Sequence, residues 1–152
     1  MTPDELTAYL HQHIPLTAAL AARVLRCGEG EIEILAPLAP NLNHRGTAFG
    51  GSLATLGILA GWAVLHLALR GAQRKDRLVI QSSNAEFLEP VNAEFTAVSR
   101  VPAKEWPRFI KTLERHGRAR ITVSSEISSA SQRVMTHAGT YVALAGGYEQ
   151  AA

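Results

Sequence analysis

Two adjacent glycines, Gly50 and Gly51, separate a polar loop (Asn41-Leu42-Asn43-His44-Arg45-Gly46-Thr47) from a long apolar stretch. If that stretch is a helix, its first backbone N–H groups have no intrahelical partner, and the helix dipole places about half a positive charge there. Glycine has no Cβ, so a reacting group can come close to this backbone. Such a helix start suits stabilisation of negative charge on an oxygen, as on a carbonyl under attack. One lost donor of that kind costs about 3–4 kcal/mol in enzymes that use it. Close packing of the helix on a sheet is the other use of a glycine pair.

Other chemistries find less support. The six histidines form no two-His helical pair with an acid, and Cys27 is the only cysteine, so no metal site is expected. Gly50-Gly51-Ser52 lacks the Gly-x-Ser-x-Gly spacing of a nucleophile elbow, and no glycine-rich loop ends in Lys. Between Arg100 and Arg120, seven basic residues (Arg100, Lys104, Arg108, Lys111, Arg115, Arg118, Arg120) accompany only Glu105 and Glu114. This segment is either a solvated basic face or a landing surface for phosphates or an acidic protein.

A chain of 152 residues with 47% hydrophobic and 18% charged residues is expected to fold as one domain over 1–152. The net charge of +2 is too small to argue for nucleic acid as the partner. A single cysteine fits a reducing cytoplasm, and the N-terminus, with Asp4 and Glu5 and no apolar run, does not read as a signal peptide. From Leu53 to Leu69 no residue is charged, which raises a membrane span as an alternative. Gly57 and Gly61 thin the stretch, His66 sits near one end, and the remainder of the chain reads as amphipathic strands. A helix buried inside a soluble fold is the expectation.

The elements that would position the glycine pair follow from pattern. Thr2, Pro3 and Glu5 open a short helix that Pro15 is expected to stop. Residues 16–27 are compatible with helix by their alanines or with a strand closing at Gly28-Glu29-Gly30. Glu31 to Leu35 alternates as a strand, and the long helix runs from about Phe49 to Arg70. Strands are expected over Arg77–Leu88 and Ala93–Val101, around the turn Glu89-Pro90-Val91-Asn92. Trp106, Phe109, Ile110 and Leu113 share a helix face that Gly117 caps. Ala119 to Ile127 and Arg133 to Leu144 complete a strand pair about a turn at Ser128–Gln132. One buried helix with a run of antiparallel strands makes the class α+β.

Asn41 to Leu53, Leu59-Ala60-Gly61-Trp62 and Asn84-Ala85-Glu86-Phe87-Leu88-Glu89-Pro90-Val91 together resemble the hotdog-fold thioesterase superfamily, and within it the YiiD C-terminal type. The likeness runs from about Pro15 to Leu144. It implies a long central helix wrapped by an antiparallel sheet, and hydrolysis of an acyl thioester of coenzyme A or of acyl carrier protein. Coenzyme A or phosphopantetheine would arrive as part of the substrate, with no separate cofactor. It also implies a homodimer or a dimer of dimers.

By the same resemblance Gly50 and Gly51 polarise the thioester carbonyl. Asn43, seven residues before Gly50, orients the carbonyl or the water. Phe49 stands where the common pattern has His, which makes His44 the candidate imidazole. The pattern's acid, two turns into the helix, is replaced by Leu56-Gly57-Ile58-Leu59. Ser52, Thr55 and Ser83 are the hydroxyls that could hold a water in its stead, and Glu33 and Glu86 are the carboxylates to inspect. Phe49, Thr55, Ser83 and Arg118 are expected to touch substrate. The missing acid also admits a non-hydrolytic protein that binds acyl-CoA or acyl carrier protein, and a hotdog dehydratase is a third reading.

Overall fold

The computed structural model describes residues 1–147. The chain runs α1 (Pro3–His13), α2 (Pro15–Ala19), β1 (Arg23–Gly28), β2 (Glu31–Ala36), α3 (Gly50–Gly71), β3 (Arg77–Phe87), β4 (Phe95–Arg100), α4 (Trp106–His116), β5 (Arg118–Ser129) and β6 (Gln132–Leu144). The six strands form one sheet in the order β1-β2-β4-β5-β6-β3, each pair antiparallel. This is the α+β hotdog arrangement: α3 lies along the sheet and packs on β2 through β6.

Local chemistry explains most boundaries. Thr2 and Glu5 form the reciprocal cap expected of α1, with Thr2 N–H donating to Glu5 Oε2 at 2.7 Å and Glu5 N–H to Thr2 Oγ1 at 3.2 Å. Pro15 does more than stop α1: it opens the short α2, where its missing N–H costs nothing. Residues 16–27 are therefore both things in turn, helix to Ala19 and strand from Arg23. Gly117 ends α4 in the left-handed region at φ 70°, as a C-terminal glycine should. The β5–β6 turn is tighter than expected. Ala130 and Ser131, at φ 50° and 62°, make a two-residue hairpin loop, so both strands extend further than the alternation alone implies.

Burial accounts for the rest. Leu56, Ala60, Ala63 and Leu65 of α3 are 0% exposed and meet Ile32, Ile34, Ala97, Val123, Ile127 and Met135 of the sheet in one core. Each of the buried Leu, Ile, Val and Met side chains contributes about 1.5–3 kcal/mol. Among the described residues α3 is the one helix long and apolar enough to cross a membrane. Of its apolar stretch, 56% is buried inside the fold.

Candidate functional site

The start of α3 is set by the loop ahead of it. Asn41, 2% exposed, donates from Nδ2 to the carbonyls of Leu20 (3.0 Å) and Pro37 (2.7 Å). The Phe49 N–H then donates to the Asn41 carbonyl and the Ala48 N–H to that of Val91, both at 2.7 Å. Held there, Phe49 becomes the N-cap with extended backbone (φ −65°, ψ 132°), and no side chain caps the helix. The Phe49 carbonyl accepts from Ser52 N–H (2.9 Å) and Leu53 N–H (3.2 Å). Among the described residues, the Gly50 and Gly51 N–H groups have no backbone acceptor. Both donors lie at the positive end of the helix dipole, where negative charge is favoured.

An apolar surface surrounds them. Phe49 is 57% exposed, Phe87 54% and Leu88 46%, and the Phe87 ring lies 3.4 Å from where a Cβ on Gly50 would be. Such side chains in solvent, next to polar donors, suit an acyl group or a second protein surface.

The other expected residues are distributed differently. Asn43 spends its amide on its own loop: Oδ1 accepts from Arg45 N–H (2.8 Å) and Thr47 N–H (3.1 Å), while Nδ2 donates to Thr47 Oγ1 (2.7 Å). That is an Asx turn, and it leaves no clear donor for a carbonyl. His44 is exposed on the same loop. Ser52 is half-buried in the first turn, and Thr55 Oγ1 donates back to the Gly51 carbonyl at 2.7 Å. Arg118 is not brought to this end of the sheet. It pairs with Leu144, whereas Met135, beside α3, pairs with Ile127, nine residues along β5 and about 30 Å away. Glu33 is tied to Arg26 at 2.7 Å, and Glu86 is exposed on β3.

Ser83 meets a residue that spacing alone does not single out. Its Oγ lies 2.7 Å from Nε2 of His137, which is 2% exposed, and Nδ1 of that imidazole is buried with no partner among the described residues. Burial pushes the His137 pKa below its usual value, so the ring is neutral at pH 7. The ring fits because Gly57 and Gly139 leave room: a Cβ on Gly57 would stand 2.8 Å from His137 Cβ, and one on Gly139 3.0 Å from Cε1. The signal was present in the sequence. His137 shares the two-residue alternation of Met135, Gly139 and Tyr141, which marks an inward-facing polar residue in a strand.

Four residues of the basic run, Arg100, Arg108, Arg118 and Arg120, line a groove of about 1200 Å³ between α4 and the outer face of β4 and β5. Sheet register adds acids that the local sequence does not show. Arg100 pairs with Glu31 at 2.7 Å, and Glu126 lies in the same groove.

Comparison with known proteins bears on the fold and the family. A family model described as "Putative thioesterase (yiiD_Cterm)" matches residues 3–145. A "putative thioesterase" of Shewanella oneidensis superposes with a TM-score of 0.84 at 25% identity, covering 93% of this chain and 96% of that one. A Chlorobaculum tepidum protein of unknown function superposes at 0.87 with 24% identity over 95% and 98% of the chains. A Pseudomonas aeruginosa protein described as "probable thioesterase" gives 0.82 at 20% identity over 95% and 97%. The last two likenesses concern the fold. With uncapped glycines opening a helix that a six-stranded antiparallel sheet wraps, and a family match over nearly its whole length, the chain belongs to the YiiD C-terminal thioesterase family of hotdog proteins.

Proposed function

We propose that this protein hydrolyses acyl thioesters of coenzyme A or acyl carrier protein at the start of α3. The observation that carries the reading is the pair of free N–H groups at Gly50 and Gly51 beside exposed Phe49 and Phe87. The thioester carbonyl would accept from those amides as water adds to it, and the charge on its oxygen would grow where the helix dipole favours it. Phe49 and Phe87 would line the acyl group. No cofactor is invoked beyond the pantetheine arm of the substrate, and the setting proposed is the cytoplasm.

The working unit in this proposal is a homodimer, with a dimer of dimers as its extension. β3 is an eleven-residue strand at the edge of the sheet, and Val79, Phe87 and Leu88 on or just after it are exposed. Pairing two such edges about a two-fold axis would satisfy their backbone groups and cover the apolar side chains.

The test is turnover of acyl-CoAs of short, medium and long chain and of acyl carrier protein thioesters, followed with a chromogenic thiol reagent. Thiol release by the wild type, lost in Gly51→Val, is the expected result. The second reading, a non-hydrolytic acyl-binding protein, draws on the absence of any carboxylate from α3. It takes over if CoA thioesters bind without turnover and Gly51→Val abolishes the binding.

A further inference from the structure

We propose that His137, acting through Ser83, is the general base of the hydrolysis, and that the pair in one copy serves the α3 start of a second copy. The inference rests on the hydrolase reading and supplies the proton acceptor that α3, without a carboxylate, lacks.

Three observations carry it. The Ser83 hydroxyl is exposed on the open edge strand, yet it lies at hydrogen-bond distance, 2.7 Å, from a ring that is 2% exposed. A buried structural histidine ordinarily satisfies both nitrogens, whereas Nδ1 here has no partner among the described residues. The ring's surroundings are almost free of charge. Gly57 of α3 leaves it room, Ser83 of β3 bonds it, Gly139 of β6 opens space between it and Tyr141, and it is in register with Ala85 of β3 and Ser125 of β5. Tyr141 is the titratable group among these, and its hydroxyl donates to the Ile58 carbonyl at 2.7 Å. Burial, with no neighbouring carboxylate, keeps the imidazole neutral and ready to take a proton.

Placement of the second copy follows from strand spacing. Phe87 touches Gly50, and Ser83 is four residues earlier on the same face of β3, about 13 Å along the strand. One carbonyl does not span that gap within a chain. An antiparallel pairing of two β3 strands centred on Ala85 sets Ser83 of one copy opposite Phe87 of the other and closes it.

In the step proposed, His137 begins with its proton on Nδ1 and a lone pair on Nε2. Water forms a bond to the carbonyl carbon as one of its protons passes to Ser83 Oγ and the Ser83 hydroxyl proton passes to Nε2. The C–S bond then breaks, and the departing thiolate recovers that proton through Ser83. Acid and thiol are the products, and the imidazole is neutral again. With no carboxylate behind Nδ1, the imidazolium returns its proton readily.

Steady-state kinetics over pH with the thiol-release assay test this. Ser83→Ala, on an exposed strand, and the near-isosteric His137→Gln should each lower kcat roughly 100-fold with little change in KM. Melting temperature and circular dichroism check that His137→Gln folds. Ser83→Thr, which keeps the hydroxyl, should restore most of the rate, and the acid limb of the wild-type profile should vanish in His137→Gln. Mixed dimers of Gly51→Val with Ser83→Ala should regain about a quarter of the activity, because half the pairs carry one intact site. Wild-type kcat and pH profile in Ser83→Ala would overturn the base assignment alone. A mixture as inactive as its parents would overturn the sharing between copies. No turnover by the wild type would remove the hydrolase reading itself, and this assignment with it.

Discussion

His137 and Gly57 compete for one volume: a side chain begun at Gly57 would have its Cβ 2.8 Å from His137 Cβ and 3.0 Å from Cγ. The helix gives up a residue of better propensity at that turn, and the sheet places an imidazole there. Beside it the Ser125 hydroxyl donates to the Gly57 carbonyl at 3.0 Å, so helix and sheet are locked where the ring enters.

Gly57→Ala tests that relationship. Alanine gains up to about 1 kcal/mol in helix propensity, but overpacking a full core costs about 1–3 kcal/mol. A net loss of about 1–2 kcal/mol in urea unfolding is expected, together with displacement of the His137 ring in NMR spectra. A stabilised variant with an unmoved ring would contradict the packing described.

Gly51→Val and Asn43→Ala should separate chemistry from scaffolding. The group nearest a Cβ on Gly51 is the exposed Phe49 ring, which can swing aside, so Gly51→Val should fold and lose turnover. Asn43→Ala removes the Asx turn and should cost about 1–2 kcal/mol of stability, because its three close hydrogen bonds all serve the loop. Its kcat should fall only as far as the loop loosens. Denaturation curves beside initial rates distinguish the two.

Acid should destabilise the protein through His66. Burial pushes its pKa down to about 4, with the positive charges of Arg70 and His13 adding, and the ring stacks on Trp62 at 4.7 Å. A histidine whose folded pKa lies below its unfolded value of about 6.5 favours unfolding when protonated. Its contribution is therefore intact above about pH 6.5, declines as pH falls, and levels off below about 4. His66→Phe should keep the stack and flatten that decline between pH 7 and 5, measured by urea midpoints. An unchanged slope would show that other groups govern it.

Assembly is checked by mass. Light scattering at micromolar concentration should give two copies or a multiple, and Phe87→Asp should shift the protein toward one. A monomeric wild type would remove the β3 pairing from the proposal.

Sequence alone determined the parts governed by short-range physics. Capping residues, proline positions, two-residue alternation and an uncharged run around glycines were enough to place α1, α3, α4 and most of the sheet, and the glycine pair that opens α3 marked the candidate donors. Tertiary structure decided what those patterns leave open. Residues 16–27 divide between helix and strand because Leu20, Ala22 and Val24 are buried in the core, which local propensity does not register. Asn43 turns into its own loop because backbone N–H groups two and four residues on are nearer than any substrate. Arg118 ends far from Gly50 because antiparallel register, invisible in spacing, sets it at the other end of β5. Ser83 and His137, fifty-four residues apart, meet only because β3 pairs with β6 and two glycines leave the ring its space. Contacts between distant segments depend on which strands become neighbours, and burial of the whole core settles that.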